Sequence, residues 1–340
     1  MIPKEERGND IINEFEMKGN KFYFKEMSDW SKYRSRYVDA WQSAFQRNEM
    51  QESLDWMLGT HLNKTYLIED SKGVIASAYS LLMNQCLVDN KSINIGLCNN
   101  VFCNKKYFRY KLFDLISHLS LDEASKDYNF AYGFPNKLAI RGHQRVGWNL
   151  PDPVELFLCK SLNKANDIFT NISSEIRELK SLNEEEINQF CETISSFSKR
   201  SAEQSNNSRI SKSFDYYFWR FFQRNLLVDR DYYVCFNDYA ICFFSVYKPN
   251  PQLNILDFQW LDNEACISII SELILFIDKY SLPGFRFLNK DLFTFLSSEM
   301  SYLDIDSVDK IPLIVYEFQN NSNVFNEKSI NFSFSDYDVY

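Results

Sequence analysis

The chain has 340 residues, of which 45% are hydrophobic and 24% charged, and its formal net charge is -9. That length predicts about two domains, and the composition fits a globular protein with a full core. An acidic surface repels phosphate backbones, which excludes nucleic acid as the expected partner and requires any anionic ligand to be held by local donors.

The eight cysteines form no C-x-x-C pair, and the three histidines (His61, His118 and His143) stand far apart. No metal site is therefore expected, and the thiols are expected to be free. The stretch Met1 to Arg7 lacks an apolar signal region, and the longest apolar run, Cys266 to Ile277, is broken by Glu272. Both features predict a cytoplasmic protein that does not enter a membrane.

In chain order, Leu54-Asp55-Trp56-Met57 reads as a short aromatic helix. Thr65 to Glu69 and Val74 to Tyr79 read as strands joined by the turn Asp70-Ser71-Lys72-Gly73, with Glu69 expected on the surface. Ile93 to Cys103 is the next strand. Lys111 to Ser125 is an amphipathic helix with Leu112, Leu115, Ile116 and Leu119 on one face. Phe130 to Phe134 is a short strand that stops at Pro135. Lys137 to Val146 is a helix that Asn136 is suited to cap, with Gly147 at its C-terminal end and Trp148 opening the next strand. Ser161 to Glu186 is charged and poor in apolar clusters, which predicts a linker near residue 165.

The same blocks then recur. Tyr217-Phe218-Trp219-Arg220 matches the first helix, and Tyr232 to Phe236 and Tyr239 to Phe244 match the hairpin. The strand Leu253 to Trp260 is followed by the helix Cys266 to Tyr280, and the strand Phe285 to Leu288 by the helix Leu292 to Glu299. Matched order predicts an internal repeat. The expected domains are 1–165 and 166–340, each α/β with a mixed, mainly antiparallel sheet flanked by helices. The tail from Asn320 to Tyr340, rich in Asn, Ser and isolated aromatics, predicts weak order.

The segment from Phe130 to Trp148 places Asn136, Ala139, His143 and Gly147 at steps of three and four, along one helical face. This pattern resembles the end of the GNAT acetyltransferase domain, Asn-x-x-Ala-x-x-x-Tyr-x-x-x-Gly-[Phe/Trp], with His143 in the tyrosine position. Upstream, Val101 to Phe113 looks like the strand and pyrophosphate loop of that family, an Arg/Gln-x-x-Gly-x-Gly/Ala run opening a helix. Here Phe108 stands for the basic residue, Lys111 for the first glycine and Phe113 for the small residue. The resemblance spans Trp41 to Trp148 and, more faintly, Tyr217 to Ile305. The second loop, Asp262-Asn263-Glu264-Ala265-Cys266, has no glycine and two acids. The first half is therefore expected to bind the cofactor, and the second to shape the acceptor site.

The resemblance implies an acyl-CoA-dependent N-acyltransferase in which a free amine attacks the thioester directly. It implies coenzyme A contacts from Val101, Cys103, Phe108, Arg109, Tyr110, Lys111, Leu112, Phe113, Asn136 and Ala139. Backbone N–H groups between Leu97 and Val101 are the implied oxyanion donors. His143, as an imidazolium, would protonate the leaving thiolate. The basic run Lys105, Lys106, Arg109 and Lys111 sits where a phosphate loop is expected, although such a run is often only a solvated face. The acceptor that two-domain relatives suggest is the amino group of a dTDP- or UDP-linked amino sugar of surface-polysaccharide synthesis. It is expected between the halves, with Arg34, Arg36 and Arg47 as candidates for its diphosphate. Two alternatives stay open: a Fem-type aminoacyl transferase, and a non-catalytic binding protein on a decayed GNAT scaffold.

Overall fold

The computed structural model describes residues 11–46, 51–88, 91–160, 172–204, 208–223, 230–318 and 330–336. The chain divides into two compact units. The first takes Met1–Asn84, Asn94–Pro151 and Pro312–Ser322, and the second takes Gln85–Ile93, Asp152–Ile311 and Asn323–Tyr340.

The first unit opens on a hairpin absent from the sequence reading, β1 (Ile11–Met17) and β2 (Asn20–Glu26). Its turn is Lys18-Gly19, both at positive φ, the conformation that matches the twist of two-residue hairpins. Helix α1 (Trp30–Phe45) is capped by Asp29, whose carboxylate accepts from the Ser31 N–H, and it buries Tyr33, Tyr37 and Trp41 at successive four-residue steps. Then come α2 (Gln51–Leu58), β3 (Asn63–Asp70), β4 (Ile75–Val88), β5 (Lys91–Cys103), a 3-10 turn (Lys105–Tyr110), α3 (Leu112–Ala124), β6 (Phe130–Gly133) and α4 (Ile140–Arg145). α4 is shorter than expected because residues 137–139 form a hydrogen-bonded turn ahead of it. Trp148 opens no strand; it is buried, and Asn149 beside it bridges to Val315. Phe22, Phe24, Tyr79, Leu112, Ile116 and Trp148 belong to the core of this unit.

The second unit repeats the plan. Its elements are β7 (Val154–Lys160), β8 (Glu175–Glu178), α5 (Glu184–Gln204), β9 (Ser208–Ser211), α6 (Phe214–Phe221), β10 (Arg230–Asn237), β11 (Ala240–Tyr247), β12 (Gln252–Trp260), α7 (Asn263–Lys279), β13 (Gly284–Phe287), α8 (Lys290–Glu299) and β14 (Ile305–Ile311). Asp262 caps α7 by accepting from the Ala265 N–H at 2.9 Å. The buried faces of α7 and α8 cover one side of the sheet.

The sheets are mixed, with antiparallel pairs predominating. The first runs β1-β2-β3-β4-β5-β6-β15, where β15 is Ile314–Glu317, and the second runs β14-β7-β13-β12-β11-β10-β8. The pairs β5/β6 and β12/β13 are parallel, as expected for two βαβ crossovers. The expected division at residue 165 does not describe where strands go. β7, which follows α4 in sequence, pairs with β13 and β14 in the second sheet, and β15 crosses back to pair with β6. The expected linker near residue 165 lies outside the described residues, and beyond it Glu175–Glu178 is an edge strand on β10. Of the tail expected to be weakly ordered, only residues 330–336 are described and the rest lies outside the described residues. There β16 (Ile330–Asn331) pairs with β9, Phe332 is buried, and Ser333, Ser335 and Asp336 are buried around the Lys212 ammonium.

Among the described residues no helix is long and apolar enough to cross a membrane, and none form a metal-binding group. All eight cysteines are free.

Candidate active site

The candidate site of the first unit lies where two parallel strands part. β5 and β6 are in register at Ile95↔Phe130, Gly96↔Ala131 and Leu97↔Tyr132. β6 ends at Gly133, whereas β5 continues to Cys103, so the N–H and C=O groups of the last β5 residues on that side face no β6 partner. A Cβ at Gly133 would lie 3.3 Å from the Cys98 carbonyl oxygen, a tight contact that β5 would have to relieve by a few tenths of an ångström. Within the divergent part Asn100 sits at φ 46, a left-handed kink that asparagine tolerates better than most residues. The kink re-aims the backbone of Leu97 to Val101, the expected oxyanion donors.

The loop after β5 is built from side-chain caps. Asn104 is buried and accepts from the Lys106 N–H at 3.1 Å, starting the 3-10 turn. Lys111 then takes φ 54 and ψ 40, left-handed, and hands the chain to α3 without a side-chain cap. This is the position of the missing glycine, so the turn survives with a lysine in it. A non-glycine residue held there costs about 1–2 kcal/mol. Lys105, Lys106, Arg109 and Lys111 are all exposed. The Arg109 guanidinium lies over the Tyr110 ring at 4.8 Å and donates to its hydroxyl at 2.6 Å. Asp114 also lies in the first turn of α3, and Arg145 pairs with it through both nitrogens, at 2.8 and 3.3 Å.

The other expected contacts divide by burial. Tyr110 and Leu112 are core residues, and Val101 and Cys103 pack against that core. Burial pushes the Cys103 thiol up to about 11, so it stays protonated. The Phe113 ring lies over Gly142, where an added Cβ would sit 2.8 Å from it. Phe113 is therefore a packing residue that ties α3 to α4, and only its backbone N–H stays relevant to a ligand. Phe108 is 59% exposed, and Leu138, which the sequence reading passed over, is 93% exposed. Asn136 is exposed and accepts from the Leu138 and Ala139 N–H groups, both at 3.0 Å, so it caps the turn 137–139 ahead of α4, whose own N-cap position, Ala139, has no side-chain cap.

His143 is buried, at 4% exposure, with Phe113 and Trp148 each presenting ring edges at 5.3 Å between centroids. Burial lowers its pKa from 6.5 to about 4, so the ring is neutral at pH 7. The imidazolium expected from the sequence is therefore not the form this environment favours. Its Nδ1 is buried and makes no hydrogen bond among the described residues, an arrangement that awaits a partner.

Sequence reasoning missed Asn99. It follows Leu97 by two residues on β5, so alternation puts it on the sheet face of Tyr132. Its Oδ1 is buried and has no hydrogen-bond partner among the described residues. On the neighbouring strands, the Asn84 amide donates to the Tyr132 hydroxyl at 3.0 Å. The signal in the sequence was the pair Asn99-Asn100 inside a strand, against β-propensity. Glu69, expected on the surface, is buried between Lys25 at 2.9 Å and Arg36 at 2.8 Å. Arg34 is engaged bidentately by Asp55 and Arg36 by Glu69, and Arg47 lies outside the described residues.

Solved structures with the same arrangement are GNAT proteins. A GCN5-related N-acetyltransferase from Anabaena variabilis superposes with a TM-score of 0.65 and 12% identity, over 87% of this chain and 73% of that one. A probable N-acyltransferase from Enterococcus faecalis gives 0.64 and 12%, over 90% and 75%. A GCN5-related N-acetyltransferase from Kribbella flavida gives 0.63 and 8%, over 86% and 71%. At these identities the likeness shows the fold: the chain has the GNAT fold, with both halves included in the match. No protein-family profile matches the chain, and no curated protein matches it in sequence.

Proposed function

We propose that the first unit transfers an acyl group from an acyl-CoA to a primary amine. The observation that carries this reading is the parting of β5 and β6 beyond Leu97/Tyr132, with the left-handed Asn100 in the opened strand. A thioester carbonyl laid along that edge would meet backbone N–H donors that no strand occupies. The turn at Lys111, the N-terminus of α3 and the exposed Arg109 and Lys111 would hold the pyrophosphate. Asp114 opposes an anion there, and its pairing with Arg145 offsets that. Phe108 and Leu138 offer apolar surface to the rest of the donor.

In the reaction the amine nitrogen attacks the carbonyl carbon, and the oxyanion is stabilised by the β5 backbone. The C–S bond then breaks, and the amide retains the nitrogen. The proton that the sulfur needs is carried by the nitrogen bonded to the same carbon. A neutral His143 can donate a hydrogen bond to the departing sulfur, a smaller contribution than imidazolium acid catalysis. The unpartnered Asn99 Oδ1 would accept a hydrogen bond from the incoming amine.

For the acceptor we keep the amino group of a nucleotide-linked amino sugar, which the family resemblance suggests. The ion pairs of Arg34 with Asp55 and of Arg36 with Glu69 already engage two of its proposed diphosphate ligands. The test is a thiol-release assay with dTDP- and UDP-linked amino sugars beside polyamines, aminoglycosides and amino acids. Preferred turnover of a polyamine or peptide amine would reject the sugar and keep the acyl transfer. A second reading, a binding protein on the same scaffold, is favoured by the glycine-free loop. Coenzyme A binding without thiol release from any amine would select it.

A further inference from the structure

The second unit contains a cavity of about 350 Å³, within the range of small-molecule sites. It opens on the sheet face away from α7 and α8. Along β12, Leu253 and Ile255 enter the core while Gln252, Asn254 and Leu256 line the cavity, and on β13 Phe285 and Phe287 enter the core while Arg286 lines it. This is the beginning of the parallel pair, where Asn254 and Arg286 are in register, and not the end where the two strands part.

We propose that this cavity binds the phosphate or carboxylate group of a small organic anion, with Arg286 as the principal donor. Arg286 is half-buried and forms no ion pair or hydrogen bond among the described residues, and its Nε is buried. A guanidinium stays charged and is normally paired where it is buried, and here its Nε donor is unpaired on the wall of the cavity. A second guanidinium, Arg230, lies over the Tyr247 ring at 5.2 Å on the opposite side of the same cavity. Three strand spacings separate β10 from β13, about 14 Å between backbones, a span that a molecule larger than a bare ion fills. Leu156, Leu256 and Ile311 provide apolar wall for its body. Gln252, whose NH2 donates to the Leu253 and Gly284 carbonyls at 3.2 and 3.0 Å, leaves its Oε1 to accept from a hydroxyl group, and Asn254 adds a second amide to the wall. One carboxylate, Asp309, is also on the wall; it is exposed and accepts from the Lys310 N–H. In a chain of net charge -9 the overall field repels anions, so affinity here must come from the two arginines. The inference does not depend on acyl transfer, because all of these residues belong to the second unit and the measurement is of binding alone.

The experiment is calorimetric titration of the full chain with inorganic phosphate, uridine monophosphate and glutarate, which separates phosphate from carboxylate and a bare ion from an organic one. At least one organic oxyanion should bind at millimolar concentration or better. Arg286→Gln should weaken it by about tenfold or more, as expected for one charge-assisted contact. Arg286→Lys, which keeps the charge and loses the fork, should bind less tightly than wild type. Each variant is checked for an unchanged unfolding midpoint, and coenzyme A binding should be unaffected. Absence of binding for every probe, unchanged affinity in Arg286→Gln, or equal weakening by Lys126→Gln, a first-unit residue that does not line the cavity, would overturn the proposal.

Discussion

Replacing His143 with phenylalanine removes a buried ionisable ring and keeps a flat side chain against Phe113 and Trp148. In the folded protein the imidazole pKa is about 4, against 6.5 when unperturbed. Between those values the unfolded chain binds a proton at this position that the folded ring refuses. The stability contribution is therefore complete above the unfolded value, falls as pH drops through it, and reaches its full loss below about pH 4, where both states are protonated. Linkage gives a loss of about 1.4 kcal/mol on going from about pH 7.5 to about pH 5.5, and about 3 kcal/mol at completion. The assay is denaturant unfolding of wild type and His143→Phe at both pH values. Carboxylate contributions are common to the two proteins and cancel in the double difference. The wild type should lose about 1.4 kcal/mol more than the variant over this interval. If both lose the same amount, the ring is not held neutral by burial, and the argument against an imidazolium fails with it.

With a neutral ring, kcat of the wild type should show no ionisation between about pH 6 and 8, and His143→Phe should lower it by about tenfold or less, since one neutral hydrogen bond is lost; steady-state kinetics decide this. Lys111→Val should be less stable than Lys111→Gly by at least about 1 kcal/mol, because a branched side chain at positive φ is strained, as urea midpoints would show. Gly142→Ala should cost about 1–3 kcal/mol by driving a methyl into the Phe113 ring, and Phe113→Leu in the same chain should recover part of that loss. In the second unit Lys212 is buried against Asp257 at 2.7 Å and Asp336 at 3.1 Å, and its pKa is raised because the two carboxylates outweigh burial. Lys212→Met should cost about 3–5 kcal/mol. Asp336→Asn should cost far less, because burial and Asp257 already raise the Asp336 pKa; equal losses in the two variants would contradict this.

Much of the repeat was legible because it rests on local signals. The turns Asp70 to Gly73 and Asn237-Asp238 mark hairpins, and the apolar faces of Leu112 to Leu119 and Cys266 to Ile277 mark the helices that cover each sheet. The Asn136 cap and the Gly147 turn, at φ 95, were readable for the same reason. What failed depends on residues distant in sequence. Glu69 reads as a turn-flanking surface acid until Lys25 and Arg36 close over it. His143 reads as an accessible acid until Phe113 and Trp148 enclose it. The loss of glycine at position 111 reads as the loss of a turn, although a lysine holds the same backbone angles at a modest cost. The strand exchange did leave a trace: Pro151 and Pro153 precede β7, and Pro312 lies between β14 and β15. Proline keeps both crossings extended and out of the ladders. Their role could not be read, since nothing local says which sheet a strand will join.

The position of β15 has a consequence for synthesis. β6 is an inner strand in the finished sheet, yet its partner occupies residues 314–317, beyond all the strands of the second sheet in sequence. While the ribosome is still making the second unit, the emerged first unit presents β6 as a bare parallel-sheet edge with unpaired backbone groups. Its sheet closes only after β15, which follows every strand from β7 to β14, has been translated, so during elongation it is a natural client for a chaperone. For the same reason a fragment ending at residue 165 lacks the strand that seals β6 and carries β7 without its β13 and β14 partners. Expressed halves should aggregate, and mixing the two should restore solubility only if the strands trade places in trans.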